Sequence, residues 1–168
     1  YKKDGHKGLT TLKKKDIGVK GEYVQFDFVG KDGVPQSIMR KFSKAYVGRL
    51  KAMLRKLKAG DFVFVNSETG RPLSDVTFEK AFALYCGKRF YPHIVRSYFA
   101  TKTVEDFLGQ SEGKLDKKDV ESLFVGIADR LGHKKFSKKK GEWEVSYKIT
   151  MKHYVNPKLI DKINKRTN

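Results

Sequence analysis

Tyr23-Val24-Gln25-Phe26-Asp27-Phe28-Val29, running into Gly30-Lys31-Asp32-Gly33, is the stretch whose reading decides the fold. Val24, Phe26 and Phe28 alternate with their neighbours and share one face, the period of two expected of a strand with one side against a core. The two glycines then mark a turn, because they accept positive φ where other residues would strain. Residues 36–42 return as the partner strand, which places Lys31 at the tip of a predicted hairpin. A lysine there reaches into a groove without being buried.

Outward from this hairpin the pattern splits in two. Upstream, residues 9–12 and 17–19 read as short strands separated by a Lys13-Lys14-Lys15-Asp16 turn. Downstream of Ser43 the period becomes helical: Tyr46, Val47, Leu50, Leu54 and Leu57 recur at helix spacing, and Gly60 is the expected stop. A brief extended piece at 61–65 and a turn at 66–72 follow. Ser74 is the expected cap of a helix reaching about Tyr85. Pro92 suits the first turn of another helix, lined by Ile94, Val95, Tyr98, Phe99 and Phe107. Val120, Leu123, Phe124, Ile127 and Leu131 mark a further helix that stops at Gly132. The pattern weakens over 134–141. Residues 143–149 alternate like a strand, although they also suit a helix, and Pro157 opens a last short helix ending near Lys165. The expectation is an α+β fold in one domain, 1–168, with a small antiparallel sheet over 8–42 and a mainly helical body over 43–168.

The 168 residues carry a net charge of +18, distributed unevenly. Residues 1–60 carry +11, residues 61–131 carry −1, and residues 132–168 carry +8. Basic ends around a balanced middle favour a polyanion, since neutralising phosphates releases counterions. No basic amphipathic helix with exposed Trp or Phe points to acidic lipid, and no apolar run approaches a membrane span. Nucleic acid is therefore the expected partner, not a membrane. Cys86 is the single cysteine, which rules out an internal disulfide and fits a reducing compartment. The four histidines, His6, His93, His133 and His153, lack zinc-ligand spacing, so no metal is expected.

Three further segments carry residues suited to phosphoryl transfer: His93-Ile94-Val95-Arg96, Leu131-Gly132-His133 and His153-Tyr154-Val155-Asn156-Pro157. Moving a phosphoryl group onto a tyrosine requires an in-line phenol, cationic donors on the nonbridging oxygens and a proton for the leaving oxygen. Arg96 offers the two-pronged clamp that a guanidinium provides. His133 offers a hydrogen bond to another oxygen, Lys31 a general acid, and Tyr154 a nucleophile. Taken singly, each has a plainer reading. Arg96 suits a structural ion pair, His133 a helix-dipole partner, Lys31 an ordinary turn, and Tyr154 packing.

Together the segments resemble the catalytic domain of type IB DNA topoisomerases, most of all the poxvirus, giant-virus and bacterial branch. Gly8-Leu9-Thr10-Thr11-Leu12 with Phe28-Val29-Gly30-Lys31 resembles the family's opening motif. The resemblance implies Lys31 as general acid, Arg96 as the second catalytic arginine, His133 as the catalytic histidine and Tyr154 as the nucleophile. It implies relaxation of supercoils in double-stranded DNA through a 3′-phosphotyrosyl intermediate, with no ATP, nucleotide cofactor or metal, by a monomer working inside the cell wherever DNA is. Expected DNA contacts are Lys13, Lys14, Lys15, His93, Lys134, Lys135 and Lys152, with His93 also supporting Arg96.

Three departures shape the expectation. Residues 1–7 contain no arginine to match the family's first. The chain thus reads as a catalytic fragment beginning just after it, without the N-terminal clamp domain and impaired in cleavage. The span from His133 to Tyr154 is longer than the family pattern, and Tyr147 within it is the less favoured nucleophile because it lacks the following Val-Asn-Pro. Finally, His-x-x-Arg and Leu-Gly-His also mark tyrosine recombinases, the alternative reading. A non-catalytic basic DNA-binding module is the third.

Overall fold

The alternation at residues 23–29 becomes a full strand, and the first sheet is built around it. The computed structural model describes residues 5–91 and 93–167. Strand β2 (Tyr23–Val29) pairs antiparallel with β1 (Ile17–Lys20) along one edge and β3 (Pro35–Lys41) along the other. Phe26 stands opposite Ile17 on one side and Ile38 on the other. Val24 is fully buried, and Phe26 and Phe28 pack on the same cluster. Between β2 and β3 lies a 3-10 turn, Lys31–Gly33, in which Asp32 and Gly33 adopt φ of 59° and 76°. The Gly30 N–H donates to the Val34 carbonyl at 2.8 Å, which closes the tip and leaves Lys31 exposed.

Helix α1 (Lys44–Arg55) starts where Ser43 Oγ accepts the Tyr46 N–H. Its Val47, Leu50 and Leu54 are buried with Leu12, Ile17, Val24 and Val63. The helix stops short of Gly60 for a local reason. Asp61 Oδ2 accepts the Lys58 N–H at 2.7 Å, and Lys14 Nζ donates to the Leu57 carbonyl at 2.6 Å. These groups satisfy the chain in a turn and remove the incentive for another helical turn.

Residues 9–12 also differ from expectation, forming a 3-10 turn over Leu9–Thr11 instead of a strand. Thr11 Oγ1 both accepts the Gly8 N–H and donates to the Gly8 carbonyl, so the segment bonds to itself. The lysine-rich turn beyond it is ordered by Asp16. This nearly buried carboxylate accepts the Lys13 N–H and pairs with Lys7. Helix α2 (Asp75–Cys86) begins as expected, with Ser74 Oγ accepting the Thr77 N–H.

The chain forms two compact units, Tyr1–Tyr85 and Cys86–Asn168. The second is built on α3 (His93–Gln110), α4 (Lys117–Arg130), α5 (Lys148–His153) and α6 (Pro157–Thr167). Pro92, expected in the first turn of α3, lies outside the described residues. Ala100 and Val104 of α3, Phe124 and Ile127 of α4, and Leu159 and Ile163 of α6 form the core with Leu115, Leu131 and Val155. Arg166 locks the α3–α4 connection: its guanidinium donates to the carbonyls of Gly113, Ser111 and Leu108.

A hairpin interrupts these helices. Strands β4 (Lys134–Ser137) and β5 (Glu142–Val145) pair antiparallel around a turn ending at Gly141, with Phe136 edge-on to Trp143 across the ladder. Residues 143–149, open between strand and helix in the sequence, divide: strand to Val145, helix from Lys148. The architecture is α+β, with antiparallel strands first and a mostly helical body after them. No helix among the described residues is long and apolar enough to cross a membrane.

Candidate active site

Three chain segments of the second unit meet at one place, and each is fixed by ordinary backbone chemistry. Helix α3 buries Ala100 and Val104 in the core, which brings Arg96, one turn earlier, to the core's edge and His93 a further turn out. Helix α4 ends in a paired hydrogen-bond motif. Gly132, at φ 67°, lets its own N–H reach the Asp129 carbonyl and the His133 N–H reach the Ala128 carbonyl, both at 2.9 Å. The next residue leaving that end is His133. Its carbonyl accepts the Ser146 N–H at 2.8 Å, so the hairpin returns to its own root.

Tyr154 sits immediately past α5, with its N–H donated to the Thr150 carbonyl at 3.0 Å. Thr101 on α3 holds this turn from the other side. Its hydroxyl donates to the Tyr154 carbonyl (3.3 Å) and accepts the Asn156 N–H (3.2 Å). Buried Val155 anchors the segment, and Asn156 Oδ1 accepts the Lys158 N–H at the start of α6. The tyrosine is therefore held by its backbone while its ring stays half-buried.

The side chains converge. Arg96 Nη2 lies 2.9 Å from His133 Nε2 and 2.7 Å from the Leu131 carbonyl. The Tyr154 ring lies between imidazoles, its centroid 4.5 Å from that of His133 and 4.7 Å from that of His93. The Arg96 guanidinium carbon is 5.4 Å from the same ring. The Tyr154 hydroxyl is 2.9 Å from His93 Nε2. His133 Nδ1, on the far side of its ring, is 2.7 Å from the hydroxyl of Thr150, which is fully buried.

Electrostatics follow from this crowding. Burial disfavours the charged imidazole, and the positive charges of Arg96 and His93 add to it, holding His133 down to about 4 from 6.5. His133 is neutral at pH 7. Arg96 can only donate, so at 2.9 Å His133 Nε2 is its acceptor. The arrangement supplies a phenol with an imidazole at its hydroxyl, beside a guanidinium and a second imidazole. That is the equipment for in-line attack on a phosphodiester.

The competing tyrosine has a different setting. The Tyr147 hydroxyl donates to Glu121 Oε1 at 3.3 Å, and the negative charge of Glu121 is the main force raising its pKa, followed by burial. A phenol beside a carboxylate is a poorer nucleophile, since its anion is disfavoured.

The other residues singled out in the sequence are placed as follows. Lys31 stands in the β2–β3 turn of the first unit. Lys13 lies over the Phe62 ring at 5.2 Å, Lys14 is engaged with the Leu57 carbonyl, and Lys15 is exposed. Lys134 and Lys135 begin β4, and Lys152 is exposed in the last turn of α5. Sequence reasoning missed Thr150 and Thr101 altogether. It placed His93 beside Arg96 but not at the tyrosine hydroxyl, 61 positions away in the chain. The helical one-turn offset of His93 from Arg96 was the available signal.

The family model described as eukaryotic DNA topoisomerase I, catalytic core, matches residues 1–165. No curated protein matches the chain.

Proposed function

The chain belongs to the DNA topoisomerase I catalytic-core family, the type IB enzymes that act on DNA, and from that premise we propose that Tyr154 is its nucleophile and relaxes duplex DNA through a 3′-phosphotyrosyl intermediate. The observation that carries this reading is the convergence of the Tyr154 ring, Arg96 and His133, with His93 at the phenol.

In the proposed step the Tyr154 oxygen attacks phosphorus and the bond to the 5′ oxygen breaks. His93 Nε2, at 2.9 Å, takes the phenolic proton. Arg96 clamps the nonbridging oxygens as their charge grows, and His133 donates to one of them. Lys31 is assigned as the proton donor to the leaving 5′ oxygen, on its family motif and its exposed turn alone. The free 5′ end swivels and then attacks the phosphotyrosine, restoring the strand. The covalent link conserves the bond energy, so neither ATP nor a metal is needed for resealing. Lys134, Lys135 and Lys152 are assigned to the DNA backbone around this step, and Lys13, Lys14 and Lys15 to a second basic stretch. The enzyme is assigned as a monomer of the poxvirus, giant-virus and bacterial branch, on the opening motif. A tyrosine recombinase would use the same residues; the family match favours the topoisomerase.

The test is adduct formation. A duplex with a nick just past the cleavage position traps the intermediate, because the short 5′ fragment leaves. Trapping is read after long incubation without magnesium. The protein should migrate as a DNA adduct, and Tyr154→Phe should abolish it. An adduct that survives in Tyr154→Phe would overturn the assignment.

A further inference from the structure

Thr150 lies on α5 with no solvent exposure, yet its hydroxyl is spent on one side chain, His133, at 2.7 Å from Nδ1. The opposite nitrogen, Nε2, faces Arg96 at 2.9 Å. A guanidinium has no acceptor, so Nε2 must be the bare nitrogen and Nδ1 must carry the ring proton toward Thr150. The backbone of His133 is pinned as well, through Ala128 on one side and Ser146 on the other. The ring thus cannot turn over without breaking a buried hydrogen bond. The Thr150 carbonyl also accepts the Tyr154 N–H. One residue therefore sets both the histidine ring and the start of the tyrosine turn.

This arrangement has a chemical consequence. As it stands without DNA, the nitrogen of His133 that faces the reacting region has no hydrogen to give. Two groups that must both donate to a phosphate are occupied with each other. We propose that Thr150 is a positioning residue: by accepting from Nδ1–H, the ring nitrogen that Arg96 leaves protonated, it holds the imidazole so that His133 engages the scissile phosphate only by taking up a second proton on Nε2. The phosphate draws Arg96 off the ring, and its negative charge favours the imidazolium. Thr150 keeps accepting from Nδ1–H throughout. The proton comes from solvent, and the one covalent bond formed in the protein is Nε2–H. The charged or titratable groups set against His133 are Arg96 and His93 from α3 and Tyr154 after α5, with Lys134 next in the chain. None of these is a carboxylate, so the negative charge that favours the imidazolium is that of the bound phosphate.

The proposal rests on Tyr154 chemistry for its relevance but not for its first test. Nitrogen chemical shifts of His133 in the whole 168-residue chain report which ring nitrogen is protonated, with no catalysis required. At pH 7 the free protein should show the Nδ1–H form. Addition of nicked duplex should give the doubly protonated ring. Thr150→Ser should preserve both states, whereas Thr150→Val, which keeps the shape and removes the hydroxyl, should retain Nδ1–H in the free protein, where Arg96 still faces Nε2, but leave the duplex-bound ring largely neutral. In parallel, the rate of adduct formation at saturating duplex should fall as pH rises and the imidazolium is lost. Thr150→Val should move that fall to lower pH and slow the reaction at pH 8 by ~10-fold or more, the usual result of losing a hydrogen bond to a charged group. Thr150→Ser should restore it. A free protein with the proton on Nε2, or a duplex-bound His133 that stays neutral, would overturn the proposal. Expected nitrogen shifts without any Tyr154 adduct would sink the function reading and leave the role of Thr150 standing.

Discussion

Replacing Lys135, Lys138 and Lys139 together by glutamine removes three charges from the hairpin that joins His133 to Tyr154. These lysines are exposed on β4 and the turn beyond it. Lys140 is excluded because it is paired with Glu144 at 2.7 Å. The hairpin itself should persist, since the Phe136–Trp143 contact and the strand ladder are untouched. If each lysine neutralises one phosphate, the slope of log K against log salt becomes shallower by ~2.7, at about 0.9 per contact. Over a fourfold rise in salt, from about 50 to 200 mM, the native chain then loses ~40-fold more affinity than the variant. Equilibrium binding of a labelled duplex across that range measures both slopes. Adduct formation at saturating DNA should change little, because the lysines touch none of the reacting groups. An unchanged slope would refute the reasoning and remove the hairpin from the DNA surface.

Three further outcomes are expected. Thermal stability should fall as pH drops from about 6.5 toward 4, because the unfolded chain binds a proton at His133 that the folded chain resists. Native stability from this group is complete above about 6.5, and His133→Gln should flatten that portion of the pH profile. Asp16→Asn should cost about 1–3 kcal/mol in denaturant unfolding, since it leaves the largely buried Lys7 without its charge partner. Gly132→Ala should cost about 1–2 kcal/mol through its left-handed φ of 67° and should disturb adduct formation as well, since His133 follows directly.

The sequence was readable where one physical signal dominated. Residues 23–41 were legible because strand alternation and glycine turn agreed, and the helix holding Phe124 and Ile127 because apolar spacing and Gly132 agreed. Competition between local side-chain bonds and regular structure blurred the rest. Thr11 turned an apolar run into a 3-10 turn, and Asp61 with Lys14 ended α1 early. Strand β4 was hidden because Phe136 is its one apolar residue and three lysines, Lys138, Lys139 and Lys140, fill the turn to β5, leaving Phe136 and Trp143 as the one apolar cross-strand pair. At the site, residue types were legible but partnerships were not. The one-turn offset of His93 from Arg96 puts both on one helix face but does not name Tyr154 as its partner, and nothing in Thr150 distinguishes it from any threonine in a short helix.

The proposed reaction depends on Tyr154 forming the covalent bond to DNA. Trapping the adduct on nicked duplex, digesting the protein and locating the nucleotide-bearing peptide by mass spectrometry tests it directly. The modification should fall on Tyr154, through a 3′-phosphate. Modification of Tyr147 or of any other residue would contradict it.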